Sequence, residues 1–131
     1  MTANPDEGVH HSQTYLEMAL RTDRHRTVEN PDAYGEKTGR CGDTIAFFVI
    51  IDGNRIESIS FSTDGCLNTN ACANAVAELN EGKMLDEAWE ITPETVIEYL
   101  QILPEDAMHC AELSVGAFYR ALAGYTMPES P

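Results

Sequence analysis

Three short motifs carry the residue types that do metal and sulfur chemistry. They are Cys41-Gly42-Asp43, Gly65-Cys66 and His109-Cys110. Each motif stands at the junction of two predicted elements, and a cysteine near the N-terminal amides of a helix is favoured as the thiolate. Thiolates bind soft metals and attack sulfur. The sequence therefore indicates a site with three thiolates, one carboxylate and one imidazole.

The donor atoms limit what such a site could hold. Three sulfurs with one oxygen or nitrogen suit zinc or an iron–sulfur cluster. The spacing is not that of a zinc finger, because no two cysteines lie two to four residues apart. A cluster whose fourth position is not a thiolate should be held less firmly, which suits a protein that assembles a cluster and then gives it away.

A β-hairpin must position the first two motifs. The residues 44–51 are strongly β in type, 52–54 form a turn signal, and 55–63 alternate as a return strand. The start of one strand and the end of its hairpin partner lie at the same edge of a sheet, so we expect Cys41 and Cys66 to be neighbours. The stretch 30–39 is interpreted as a loop, since Pro and Gly punctuate it.

The other predicted elements of the chain are helices. Ser12 caps a helix over 13–20, another follows Cys66 as far as Gly82, and Thr92 caps a third that begins with Pro93. The last helix is expected to carry His109-Cys110 at its N-terminal end, and helix packing decides whether Cys110 joins the other two cysteines. The predicted fold class is α+β, with a small antiparallel β-sheet packed against several α-helices.

Composition narrows the function further. The chain has 131 residues, 43% of them hydrophobic, and 22 acidic residues against eight Lys and Arg give a net charge of −14. We expect a single domain over 13–125 between a flexible N-terminal tail (1–12) and a C-terminal tail (126–131). Without a basic cluster, nucleic acid and anionic membranes are not expected partners. With neither an apolar span nor a signal peptide, we expect a cytoplasmic protein whose cysteines serve metal or sulfur chemistry.

These motifs together resemble a known family, the iron–sulfur cluster assembly scaffolds of the U type, which includes the N-terminal domain of the nitrogen-fixation scaffold. The resemblance covers about 30–123. It depends on the three cysteine motifs, on their gaps of 24 and 43 residues, and on further short matches at Glu81-Gly82-Lys83, Glu87-Ala88 and Leu103-Pro104.

The resemblance implies both a cargo and its partners. Cys41, Cys66 and Cys110 would carry a [2Fe-2S] cluster, with Asp43 or His109 near the fourth position. A cysteine desulfurase would deliver sulfur as a persulfide, with Cys110 as the usual acceptor. Recipient apo iron–sulfur proteins or carriers would take the cluster. The chain would then be a scaffold and carrier that binds iron, not an enzyme. A second subunit could complete the open fourth position as a homodimer.

The chain departs from the family at two places. The sequence Leu103-Pro104-Glu105-Asp106-Ala107 lacks the second Pro and the Lys of Leu-Pro-Pro-Val-Lys, which argues against recognition by a dedicated Hsp70 chaperone. After Cys66, the residues Leu67, Asn68, Asn70, Cys72 and Asn74 replace small residues. Cys72 lies on the apolar stripe of its helix, where it fits packing better than a role as auxiliary thiol or ligand.

Two other functions remain open at the sequence level. The first is a zinc-bound sulfurtransferase or sulfur acceptor that stimulates a desulfurase. That branch of the family carries an insertion between its second and third cysteines, and none is visible here. The second is a structural zinc module that binds partners and does no sulfur chemistry, and it would unfold on metal removal.

Overall fold

The computed structural model describes residues 12–40, 42–102 and 104–125. The predicted terminal tails, apart from Ser12, lie outside these described residues, as do Cys41 and Leu103. The described elements are, in chain order, α1 (Gln13–Leu20), β1 (Ala33–Thr38), β2 (Thr44–Asp52), β3 (Arg55–Thr63), α2 (Leu67–Asn80), α3 (Leu85–Ala88), α4 (Pro93–Leu100) and α5 (Pro104–Gly124).

The sheet is an antiparallel meander in the order β1-β2-β3. The predicted hairpin is confirmed, because β2 and β3 pair from Asp52 opposite Arg55 to Ile45 opposite Thr63, with one register shift between Ile50 and Ile51. The prediction of a loop over 30–39 is wrong from Ala33 to Thr38, because these residues form β1 and pair along β2. Together with five helices, this sheet confirms the α+β fold class.

Helices cover one face of the sheet. α5 packs on β1 and β2, while α2 packs on β3 and against α5. The core between them includes Phe47, Phe61 and Phe118, whose rings meet edge to face. β1 approaches α5 closely at Gly35, where an added Cβ would lie 2.1 Å from the backbone nitrogen of Ala121. A larger side chain at this position would separate the strand from the helix.

α1 packs on α2, and α4 packs on both α5 and α2. α1 begins as predicted, with the Ser12 hydroxyl accepting a hydrogen bond from the Tyr15 amide at 2.9 Å. α4 likewise has Thr92 as its cap and Pro93 in its first turn. In the part of the chain that the structure describes, no helix combines the length and apolar character needed to cross a membrane.

Candidate metal centre

One edge of the sheet carries the first part of the site. The backbone turns between β1 and β2, where the Gly39 amide donates to the Asp43 carbonyl at 2.8 Å. At the same edge, the Asp64 carboxylate accepts a hydrogen bond from the Thr44 amide at 3.0 Å. The sheet thus places Asp43 beside the connection from β3 to α2. Cys41 lies outside the described residues, so its predicted nearness to Cys66 stays a prediction.

Cys66 is the residue immediately before α2, and it is exposed. Burial alone would raise the pKa of its thiol. The amides of Thr69 and Asn68 and the Thr69 hydroxyl stabilise the thiolate and outweigh burial, so the pKa of Cys66 is lowered, although the Asp43 carboxylate opposes the shift. The sulfur accepts no capping hydrogen bond of standard geometry from the described residues.

Cys110 has a different setting from the predicted one. α5 begins at Pro104, so Cys110 stands in the second turn of the helix and not at its N-terminal end. Pro is well tolerated in a first turn, because the amide that it lacks would have no partner within the helix there. The dipole effect fades beyond the first turn, so the amides at the start of α5 lie too far away to act on Cys110 as the sequence predicts. Cys110 is only 2% exposed.

His109 stands next to this buried thiol. Its Nε2 atom lies 3.6 Å from the Cys110 sulfur, and the imidazole is otherwise exposed. A cavity of about 620 Å³ opens beside His109, lined also by Lys37, Arg40 and Glu112. His109 is therefore at the border between solvent and Cys110.

Thr69 joins the separate parts of the site. Its hydroxyl lies 3.8 Å from the Cys66 sulfur, 3.6 Å from the Cys110 sulfur and 3.3 Å from a carboxylate oxygen of Asp43. The side chain is completely buried. The structure thus brings Asp43, Cys66 and Cys110 around one oxygen atom, with His109 beside them.

Thr69 is not among the residues that the sequence predicts for the site. A signal was present, because Thr69 is the third helical residue after Cys66, and a side chain at that position can reach back to the residue before the helix. Among the described residues, no group of three or more Cys, His, Asp and Glu side chains is arranged to hold a metal ion. Cys41 is not among them.

Cys72 faces away from solvent. It is completely buried within the apolar core of α2. Burial raises the pKa of its thiol strongly, and the neighbouring Cys110 and Cys66 sulfurs add to the rise. These surroundings agree with packing, the favoured interpretation of Cys72. No disulfide joins the three described cysteines.

A groove of about 480 Å³ lies on the exposed side of Cys66. The α1 end of its lining includes Leu20, and the α2 end includes Leu67. Both leucines are exposed, at 66% and 56%. A macromolecule that reaches Cys66 from this side would therefore meet apolar surface next to the thiol.

Comparisons with known proteins identify the family. A model of the NifU-like N-terminal domain family matches residues 24–130, so the chain belongs to this family. The iron-sulfur cluster assembly scaffold protein IscU 1 of Archaeoglobus fulgidus is 39% identical over 99 residues, which is 75% of this chain and 65% of that protein. The nitrogen fixation protein NifU of a Nostoc species is 32% identical over 87 residues, 65% of this chain and 29% of that protein. The chain spans less than two-thirds of the length of either relative.

Solved structures agree on the fold. A scaffold-type protein of the SUF system from Fervidobacterium islandicum superposes with a TM-score of 0.71 at 19% identity, covering 88% of this chain and 98% of that one. A NifU-like N-terminal domain from Brucella abortus gives the same TM-score at 16% identity, covering 88% and 93%. At such identities the likeness shows the fold alone. The predicted resemblance to U-type scaffolds is confirmed by the family match.

Proposed function

We propose that this protein is a scaffold on which a labile [2Fe-2S] cluster is assembled before it passes to recipient apo proteins or carriers. The observation that carries the proposal is the convergence of Cys66, Cys110 and Asp43 around Thr69 in a member of the NifU-like family. Two thiols and a carboxylate meeting at the border of the core are donors that iron accepts. The types of donor atom therefore fit the cargo.

The cysteines would act as the principal ligands. Cys66 and Cys110 supply two thiolates in this proposal, and Cys41 supplies the third from the β1–β2 connection. Asp43 or His109 serves as the fourth donor. A carboxylate or imidazole in place of a fourth thiolate makes the cargo easier to release, as a scaffold requires.

Sulfur would arrive from a cysteine desulfurase. The Cys110 thiolate attacks the outer sulfur of the desulfurase persulfide, a new S–S bond forms on Cys110, and the desulfurase cysteine leaves as its thiolate. The step transfers a sulfur atom without net oxidation. Conversion of that sulfur to sulfide then draws electrons from ferrous iron and from an external one-electron donor.

The burial of Cys110 adds a condition to this step. With only 2% of the residue exposed, a partner cysteine can reach the sulfur only after the covering residues move. Cys66 is exposed beside an apolar groove, so the approach begins on that side.

We propose a carrier role, not catalytic turnover, in the cytoplasm, where thiols stay reduced. We also propose that two copies of the protein form a homodimer around the cluster. The protein would act without a dedicated Hsp70 chaperone.

A single-turnover transfer assay tests the sulfur step. Desulfurase carrying a labelled persulfide is mixed anaerobically with the wild type, with Cys110→Ala and with Cys66→Ala, and the labelled cysteine is mapped by mass spectrometry. We expect label on Cys110 in the wild type and in Cys66→Ala, and none in Cys110→Ala. In a parallel assay with excess cysteine substrate, multiple turnovers with zinc retained would instead establish the zinc-bound sulfurtransferase. The absence of any protein persulfide would refute sulfur acceptance.

A further inference from the structure

The Thr69 hydroxyl lies where three of the candidate ligands come together. It is completely buried and lies within 4 Å of two cysteine sulfurs and one carboxylate. The three partners come from three elements, the turn before β2, the residue before α2 and the second turn of α5. A hydroxyl donates one hydrogen bond and accepts others, so a single oxygen can serve partners of both kinds.

Gly65 provides the space for this side chain. A Cβ added at Gly65 would lie 2.6 Å from both the Cβ and the hydroxyl oxygen of Thr69, and 2.8 Å from its methyl group. The contact involves the whole Thr69 side chain, including the Cβ atom that rotation cannot move away. Gly65, which has no side chain, therefore leaves the space that the buried Thr69 side chain occupies.

We propose that Thr69 is a positioning residue, whose hydroxyl holds Cys66, Cys110 and Asp43 close together before metal arrives. This inference rests on the proposed function, because it concerns the same site. Its physical basis is preorganisation. Side chains held near their binding arrangement lose less freedom on binding, and removing a group that orients ligands typically weakens metal binding by about 10- to 100-fold.

The plainer role for Thr69 is to fill space in the core, and two substitutions separate these roles. Thr69→Val keeps the shape and removes the hydroxyl, whereas Thr69→Ser keeps the hydroxyl and removes the methyl group. Thr69→Ala is the matched partner of Thr69→Ser, since these two variants differ only in the hydroxyl. That second pair keeps the test decisive if the valine variant does not fold.

Anaerobic titration with Co²⁺ alone provides the readout. Thiolate-to-cobalt charge-transfer absorption reports sulfur coordination directly, and it does not require cluster assembly. We expect Thr69→Ser to bind Co²⁺ within a few-fold of the wild type, while Thr69→Val and Thr69→Ala bind about 10- to 100-fold more weakly. Far-UV circular dichroism and thermal unfolding verify that each variant is folded.

Parallel reconstitution with iron and sulfide separates this inference from the proposed function. If the wild type binds Co²⁺ through its thiolates but forms no cluster, the scaffold function fails while the cobalt comparison still decides the role of Thr69. Wild-type cobalt affinity and spectra in Thr69→Val would overturn the positioning role. Equal weakening in Thr69→Ser and Thr69→Ala would overturn it as well, because the methyl group would then be what matters.

Discussion

At the scale of single residues, the three described cysteines have unlike environments although they lie close in the fold. Cys66 is exposed near the first amides of α2, and the pKa of its thiol is lowered. Cys72, six residues later, is completely buried, and the pKa of its thiol is raised. Cys110 is buried beside His109. The fold thus makes one thiol reactive and withdraws the others from solvent.

Selective alkylation of the metal-free protein should reveal the order in which the three described thiols react. Iodoacetamide at neutral pH is expected to modify Cys66 first and Cys72 last, because each pKa unit changes the thiolate fraction by about tenfold and burial adds protection. Cys110 should lag behind Cys66 because of its burial. Mass-spectrometric mapping against time measures each rate.

The same reaction in urea is the control for this order. All three rates should converge once the chain is unfolded. If Cys72 were labelled as fast as Cys66 in the folded protein, the described packing of α2 would be wrong.

The residue types of the candidate site stand out in the sequence, but the residue at its centre, Thr69, does not. Cysteines, Asp43 and His109 stand out because few other residue types bind metals or sulfur. Thr69 does not, because a threonine in the first turn of a helix is ordinary, and only the tertiary approach of α5 brings the Cys110 sulfur to it. The position of Cys110 could not be predicted, because Pro104 interrupts the helical pattern in the sequence but stands in the first turn of α5 in the structure.

At the scale of elements, the asparagines of α2 explain one departure from the family pattern. The Asn70 amide donates to the carbonyls of Ala19 and Arg21, and the Asn74 amide donates to those of Met18 and Arg21. The last carbonyls of a helix have no partner within it. The asparagines therefore fasten the C-terminal end of α1 to α2, a contact that small residues could not make.

Removing one of these amides should loosen α1. Asn74→Ala loses two hydrogen bonds, a buried one to the Met18 carbonyl and a part-buried one to the Arg21 carbonyl, and should lower the free energy of unfolding by about 1–3 kcal/mol. Because the lost bonds hold α1, amide hydrogen exchange should rise more in α1 than in α5. Exchange mapped by mass spectrometry measures this difference.

Asn80→Ala is the matched control for that substitution. Asn80 is also completely buried on α2, but its amide donates within its own helix, to the Val76 carbonyl. It should lower overall stability without a selective effect on α1. The account of the asparagines would be contradicted if both variants changed α1 equally.

The elements with strong local signals could be predicted, and the one without them could not. The hairpin and the caps at Ser12 and Thr92 are local features of the sequence, and each appears in the structure. β1 has no such signal, because Gly35, Glu36 and Lys37 are poor strand formers. Its strand conformation comes from pairing with β2 and from the close approach of Gly35 to α5, both of which are tertiary.

At the scale of the whole molecule, two arginine side chains join separate segments of a strongly acidic chain. The buried Arg24 guanidinium donates to Glu78 and Glu81 at 2.8 Å each, which ties the loop after α1 to α2. Arg21 also contacts Glu78, at 3.0 Å. The hydrogen bond from Arg24, helped by Arg21, lowers the pKa of Glu78 below its usual value of 4.5 despite some burial.

A lowered pKa predicts a definite pH dependence. Ionised Glu78 contributes stability above pH 4.5, its usual pKa, and that contribution is lost as the pH falls through its lower pKa in the folded protein. Glu78→Gln should therefore be less stable than the wild type at neutral pH, and the difference should shrink as the pH falls below 4.5. Urea unfolding at a series of pH values measures it.

Glu98→Gln on α4 is the control for this pH dependence. Its exposed carboxylate forms no ion pair with the described residues. The difference between this variant and the wild type should change little over the same range. A Glu78→Gln difference that stayed constant with pH would show that the ion pair adds nothing to stability.

We propose that the chain carries an iron–sulfur cluster on its cysteines. The most direct test is the iron, zinc and acid-labile sulfide content of protein purified without oxygen. We expect iron and sulfide in equal amounts in the wild type and in Cys72→Ala, and a marked loss of both in Cys41→Ala, Cys66→Ala and Cys110→Ala. Zinc without sulfide in the wild type, or iron and sulfide unchanged by all three ligand substitutions, would contradict the account.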